Sequence, residues 1–267
     1  MKTASAIKLS SPVEREFWEI PVLFEDDHLL ALDKPAGLPV SPDRDDPARP
    51  NLIQLLHAAI AAAKPWARER GLNYLMNAHR PDPETSGVLL LAKTKPALVA
   101  LANLFGSEKP LQKHLALAQG SPQEDKFEIN AALASHPLKI SMQHVDLQNG
   151  RKSRTRFEVL ERFSGYALLK CEPLQGRMHQ IRVHLRHAGL PVVGDLLYGG
   201  KRLWLSRLKP DYRLKPGREE RPLISRVALH AEELSLPHPV TGLTLTITAP
   251  WPKDLKVALK YLRQFAL

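Results

Sequence analysis

The apolar residues of this chain change period from segment to segment without settling into strand–helix–strand alternation. Residues 243–249, Leu-Thr-Leu-Thr-Ile-Thr-Ala, alternate at every step, the pattern of a strand with one buried face. A few positions later, residues 254–265 read as a helix. Residues 22–32 read as a hairpin about the acidic turn Glu25-Asp26-Asp27. Lys34-Pro35-Ala36-Gly37 ends its second strand, because Pro lacks a donor and Gly admits positive φ. Asn51 is placed to cap a helix to about residue 63, with Leu52, Leu55, Leu56 and Ile60 on one face. Residues 88–91, 115–118, 154–160 and 166–171 read as strands, and 95–105 and 179–188 as helices. The second of these helices is stopped by Gly189 and Pro191. Such mixing predicts an α+β fold rather than a doubly wound sheet. The expected organisation is a loose arm over residues 1–20, then one domain over 21–267.

The 267 residues suffice for a sizeable core, and at 43% apolar the chain is not disordered by composition. No apolar run is long enough to cross a bilayer, and residues 1–12 show no secretory signal. Cys171 is the sole cysteine, so neither an internal disulfide nor a zinc site is expected, and a reducing cytoplasm is the expected location. Lys and Arg outnumber Asp and Glu by 38 to 28, a formal charge of +10. That surplus suits a polyanionic partner or a merely soluble basic protein, and the placement of the charges must decide.

Three segments carry chemistry. In His79-Arg80-Pro81-Asp82-Pro83-Glu84-Thr85-Ser86-Gly87, prolines on both sides of Asp82 restrict the backbone, and Thr85-Ser86-Gly87 permits a tight exit into the next strand. A carboxylate held there beside Arg80 suits nucleophilic or general-base work, and an ordinary solvated turn has the same composition. Gly176-Arg177-Met178-His179-Gln180-Ile181-Arg182-Val183-His184 crowds two Arg, two His and a Gln at the entrance of a helix. His179 with Arg182, and Arg182 with Arg186, share a helical face suited to phosphate or carboxylate, although a solvent-facing basic helix fits too. No Cys or acidic residue completes a ligand spacing with His179, His184 and His187, so no metal site is expected. Residues 201–226 hold nine basic residues against Asp211, Glu219 and Glu220, with Trp204 and Tyr212 interleaved. They read as an RNA-contacting insertion or as a solvated excursion.

Together these segments resemble the RluA-type family of RNA pseudouridine synthases. Residues 79–87 are similar to that family's His-Arg-Leu-Asp-x-x-Thr-Ser-Gly, and 176–184 to its Gly-Arg-Thr-His-Gln-Ile-Arg-Val-His. Leu32-Asp33-Lys34-Pro35-Ala36-Gly37, Gly194-Asp195-Leu196-Leu197-Tyr198-Gly199, and Leu229-His230-Ala231 with His238-Pro239 resemble further stretches, in family order. The resemblance implies a pseudouridine synthase fold: a curved, mixed, mainly antiparallel β-sheet flanked by helices, with the active cleft across its middle. It implies no metal or organic cofactor, and none of the separate N-terminal RNA-binding domain that many relatives carry. The implied activity is isomerisation of specific uridines in structured rRNA or tRNA, by a monomer with no obligate protein partner. Asp82 matches the essential aspartate, which attacks the ribose anomeric carbon or abstracts a sugar proton. Arg182 matches the arginine that pairs with that carboxylate, and Ile181 the pocket wall. Arg80 matches an arginine that fills the space left by the flipped uridine; flipping is required because stacking hides the glycosidic bond. His79, Thr85 and Arg177 are carried over as further RNA- or base-binding positions.

Three positions depart from the family pattern. Pro81 replaces Leu, Met178 replaces a small hydroxyl residue, and His114 stands where a tyrosine normally stacks on the target uracil, unless the register slips. An imidazole still stacks and donates, but titrates near neutral pH. Two other readings remain open: a catalytically degenerate relative that only binds RNA, and a glycoside hydrolase with Glu84 as second carboxylate.

Overall fold

The computed structural model describes residues 6–11, 15–43, 46–139, 141–214 and 217–267. Residues 1–5 and 12–14 of the expected arm, and Lys215 of the basic stretch, lie outside them. The chain divides into two compact units, Met1–Gln112 with Ala231–Pro250, and Lys113–His230 with Trp251–Leu267.

In chain order the elements begin with β1 (Ala6–Ser11), β2 (Glu16–Glu25), β3 (Leu29–Lys34), α1 (Leu52–Ala61) and α2 (Pro65–Glu69). Next come β4 (Met76–Asn77), β5 (Ser86–Ala92), α3 (Lys95–Gly106), β6 (Leu111–Gln119) and β7 (Lys126–Asn130). They are followed by β8 (Leu133–Ser135), β9 (Gln143–Val145), β10 (Arg154–Phe163), β11 (Tyr166–Pro173) and α4 (Gln180–His187). A 3-10 turn at Leu196–Tyr198, α5 (Leu205–Leu208), β12 (Leu229–Pro237), β13 (Thr244–Thr248) and α6 (Lys253–Phe265) complete the chain. The α+β class is as expected.

In the first unit the strand order is β1-β2-β3-β5-β12, with β4 on β5 and β13 on β12. All seven residues of β5 are buried, so both faces of this strand must be covered. Leu89 and Leu91 pack with Leu30, Leu32 and the α1 residues Leu52 and Leu56. Val88, Leu90 and Ala92 pack with Leu29, Ala31 and the α3 residues Ala97 and Leu101. Asn51 caps α1 by accepting from Gln54 N, and Thr94 caps α3 from Ala97 N. Residues 6–11 and 16–20 are strands rather than a loose arm. Ile7 lies opposite Ile20 and Leu9 opposite Trp18, and the Trp66 indole of α2 donates to Lys8 O at 3.2 Å. The two-residue period of Ile7-Lys8-Leu9 is the sequence signal for it.

In the second unit the order is β6-β11-β10-β7, all antiparallel, with β8 and β9 forming a separate ribbon. The register puts His114, Cys171, Phe157 and Phe127 directly opposite one another in turn, hence on one face. Thr155 shares that face and bonds His184 of α4, so α4 covers it. Leu115, Leu117 and Leu168 occupy the other face. Past the bulge after Val159, Glu161 joins them there and pairs with Arg263 of α6. The sheet of this unit is therefore sandwiched between α4 and α6. No described helix is long and apolar enough to cross a membrane.

The two charges that end β3 point to opposite faces, as the two-residue period requires. Asp33 shares the face of Leu29 and Ala31, and burial pushes its carboxyl up from 3.8 to about 6. Because the folded value is the higher one, the charged form costs stability above about pH 6, and the cost vanishes below about pH 4. Asp33→Asn should therefore stabilise the protein near neutral pH by about 1–2 kcal/mol, allowing for partial solvent screening. Urea midpoints measured near neutral pH and near pH 4 check this; an equal gain at both would contradict it.

Candidate active site

The other terminal charge of β3, Lys34, has no exposed surface. An ammonium buried without acceptors would lose its proton or destabilise the fold. Lys34 Nζ donates to the carbonyls of Pro35 at 2.8 Å, Leu38 at 3.0 Å and Pro83 at 2.9 Å. Pro83 O also accepts from Gly37 N at 2.8 Å, where Gly37 takes a φ of 88° that other residues resist. Thr85 N donates to Asp82 O at 3.1 Å, closing a turn over residues 82–85. The Pro83–Glu84 peptide, one residue beyond Asp82, is thus clamped by two donors from the segment 34–37. Thr85 and Ser86 are buried, and Gly87 lies opposite Lys34 in the β3–β5 ladder.

The flanks of this turn differ. Arg80 is exposed, its Nη1 lying 3.5 Å from Ser41 Oγ. His79 is half-buried, stacked on Phe105 with ring centroids 5.0 Å apart, and its Nε2 accepts from Leu90 N at 3.0 Å. His79 and Thr85, read from sequence as RNA-facing, are thus packed as braces of the loop.

In the second unit, α4 is not a solvent-facing basic helix: every residue from Gln180 to Leu185 is buried. Arg182 is 3% exposed and forms a two-pronged pair with Asp195, itself 1% exposed, Nε to Oδ2 at 2.7 Å and Nη2 to Oδ1 at 2.9 Å. Its guanidinium also lies 5.0 Å over the Tyr198 ring. A buried ion pair holds only with such geometry, since each charge has given up its water. The segment carrying Asp195 approaches closely because Gly194 and Gly200 have no Cβ; one there would strike the carbonyls of Arg226 and Val192. The Tyr198 hydroxyl accepts from Gln143 N at 2.9 Å and sits 2.8 Å from His179 Nδ1, while Arg186 donates to Tyr198 O at 2.9 Å. Asp195 and Tyr198 are the members of the site that sequence reasoning left without a role. Their signal was the acidic residue and the tyrosine between Gly194 and Gly199.

The remaining motif residues brace α4. His184 is fully buried, and desolvation lowers its pKa, so the imidazole is neutral. Its Nε2 donates to Ala131 O at 2.9 Å, and its Nδ1 accepts from Thr155 Oγ1 at 2.9 Å. Thr155 Oγ1 in turn accepts from Gln180 Nε2 at 3.0 Å. Arg177 Nε donates to Lys152 O at 3.1 Å, and Ile181 packs into the core of the unit. His114 is half-buried on the α4 side of the sheet, opposite Cys171, whose thiol burial pushes well above its usual pKa. Among the described residues no group of three or more His, Cys, Asp or Glu is placed to hold a metal ion.

The arrangement gives a carboxylate on a stiff, clamped turn in one unit and a rigidly oriented guanidinium in the other. Replacing Lys34 by Met keeps the bulk and removes the donor to three carbonyls. Lys34→Met should cost about 1–3 kcal/mol and expose residues 81–85 to proteolytic nicking. An unchanged urea midpoint and nicking rate would contradict the clamp.

The sequence model of the RNA pseudouridylate synthase family matches residues 28–187, a span that includes Asp82 and Arg182. Over 245 residues the chain is 37% identical to ribosomal large subunit pseudouridine synthase D of Nitrosomonas europaea, covering 91% of this chain and 65% of that one. Over 244 residues it is 37% identical to ribosomal large subunit pseudouridine synthase C of Escherichia coli (strain K12), covering 91% and 70%. The chain thus spans about two thirds of the length of these relatives. The solved human RNA pseudouridylate synthase domain containing 4 shares the fold with a TM-score of 0.68 at 23% identity, covering 91% of this chain and 92% of that one. On the strength of the sequence match, this chain belongs to the RNA pseudouridylate synthase family.

Proposed function

We propose that the chain isomerises uridine to pseudouridine in ribosomal RNA, with Asp82 as the reacting carboxylate. The clamp on the Asp82 turn carries this reading: a buried ammonium and a glycine amide fix the Pro83–Glu84 peptide, one residue beyond the acid. The names of its relatives, ribosomal large subunit pseudouridine synthases, support the substrate class. A carboxylate held in this way is suited to attack the anomeric carbon, or to take a sugar proton, as the bond from C1′ to N1 breaks. The uracil then turns and bonds through C5; the C5 proton leaves and N1 gains one. Atoms and electrons balance within the nucleotide, so the reaction requires no oxidant and no second substrate.

In this proposal Arg182 serves the carboxylate of Asp82 as its cation, favouring the ionised form, and Asp195 and Tyr198 fix its direction. The exposed Arg80 fills the space that the flipped nucleotide vacates. His114 stacks on the uracil, Ile181 lines the wall, and Arg177 meets phosphate, while His79 and Thr85 hold the loop that presents Asp82. The enzyme acts as a cytoplasmic monomer.

Ribosomal RNA carrying tritium at uridine C5 tests the reading, since isomerisation releases that label. Wild-type protein should release tritium, and Asp82→Asn should bind RNA with similar affinity without release. Release by Asp82→Asn at the wild-type rate overturns the assignment, and RNA binding without release by the wild type identifies a non-catalytic binder. His114→Ala should slow release by about 10- to 100-fold, the worth of one base–aromatic stack. A wild-type rate that is flat from about pH 5.5 to 8.5, together with normal activity in His114→Ala, would remove the imidazole from the mechanism.

A further inference from the structure

Nine of the ten surplus positive charges of the chain reside in residues 201–226 and in α6. The first segment has nine basic and three acidic residues, the second four and one. The two meet in the second unit, where α5 packs against α6. Lys253, Lys256 and Lys260 follow one another at helical spacing on the outer face of α6, and all three are exposed. The nearby acids are taken by arginines: Asp254 pairs with Arg226 at 2.8 Å, and Glu161 with Arg263. On α5 and just beyond it, Arg207 and Lys209 are exposed as well.

A solvated helix face normally sets acids one turn from its lysines. Here the neighbours one turn apart are Lys253 with Lys256, Lys256 with Lys260, and Lys260 with Arg263, all of like charge. Lys253 also sits at the first helical residue, where the helix dipole opposes a cation. Both placements work against the isolated helix, and a polyanion relieves both. The apolar residues of α6, Leu255, Ala258, Leu259 and Leu262, are buried in the core of the unit. The exposed residues of α6 are Lys253, Lys256, Lys260, Arg263 and Gln264, all polar, which favours a phosphodiester backbone over insertion into a membrane.

Within the second unit, this surface lies across the sheet from His114 and Arg182. His114 and Arg182 belong to the α4 side of the sheet, and α5 and α6 to the opposite side. Layers packed on the two faces of a sheet lie on the order of 20 Å apart. We propose that α5 and the outer face of α6 form a second RNA-binding surface. It grips the backbone of an RNA segment separate from the one that presents the target uridine. The inference rests on the pseudouridine synthase reading and narrows the substrate to a folded, multi-helix RNA rather than an isolated hairpin.

The test is fluorescence anisotropy of the full chain with two labelled RNAs, a folded large-subunit rRNA fragment of about 100 nucleotides and a hairpin of about 20, over a salt series. The Lys253→Gln/Lys256→Gln/Lys260→Gln variant should bind the fragment about 10-fold more weakly near physiological salt and lower the log–log salt slope by about two. Its affinity for the hairpin should stay within about two-fold, and its Tm should be no lower than that of the wild type, because the removed charges oppose the helix. Arg207→Gln/Lys209→Gln, on a different element, should act in the same direction, while Lys→Arg at all three α6 positions should restore binding. Unchanged fragment affinity in both charge-removing variants overturns the proposal. So does an equal loss on the hairpin, which would assign these cations to the target site. Lysine-dependent binding to phosphatidylglycerol vesicles, with RNA affinity unaffected, would also overturn it, in favour of a membrane. Because binding is read without turnover, an enzyme that binds the fragment as expected yet releases no tritium would sink the Asp82 reading and leave this one standing.

Discussion

A lysine ammonium with no exposed surface is the constraint from which the first unit is organised. Three carbonyls converge on the Lys34 ammonium, two from the residues that follow it and one, Pro83 O, from 49 positions along the chain. Satisfying it fixes the path of residues 35–38 and the position of Pro83 at once. The interaction thereby couples the end of a core strand to the turn that presents Asp82. Prolines at 81 and 83 stiffen that turn but remove two backbone donors; Thr85 N serves the Asp82 carbonyl from within, and the Pro83 carbonyl is served from outside the loop.

The second unit uses the same physics with both signs buried. Arg182 and Asp195 have each lost their water, and two short parallel hydrogen bonds compensate. The exposed pairs of this unit, such as Arg156 with Glu128, are free to separate into solvent and contribute little. Around the buried pair, the neutral His184 and its partners Thr155, Gln180 and Ala131 leave no polar atom of the imidazole unserved. The result is a helix whose cation is fixed in direction, a requirement for any site in which it must meet a developing charge.

Much of this was legible in the residues. The short periods foretold α+β, the cap at Asn51 sits where α1 begins, and α4 ends where Gly189 and Pro191 predict. The two motif segments pointed to Asp82 and Arg182. What stayed hidden was the division of labour inside those motifs. His79, Gln180 and His184 look as chemically able as their neighbours, yet burial and hydrogen bonding make them braces. Asp195 and Tyr198 stand 13 and 16 positions beyond Arg182, and spacing at that range carries no information about contact. The opening strand was missed because six residues with half their side chains polar resemble a solvated arm until a partner strand covers the other half.

The sequence by itself determined the class of fold, the surplus of positive charge and the residue types on which a carboxylate-based RNA chemistry draws. These follow from local periodicity, composition and motif order, all of which act over a turn or a strand. Only the tertiary structure decided which charges are buried, what holds them and on which side of a sheet each helix lies. Those outcomes depend on desolvation, and a side chain loses its water only when segments far apart in the chain close over it. That is why Lys34, an unremarkable basic residue in the linear string, proves to be the group around which the Asp82 turn is built.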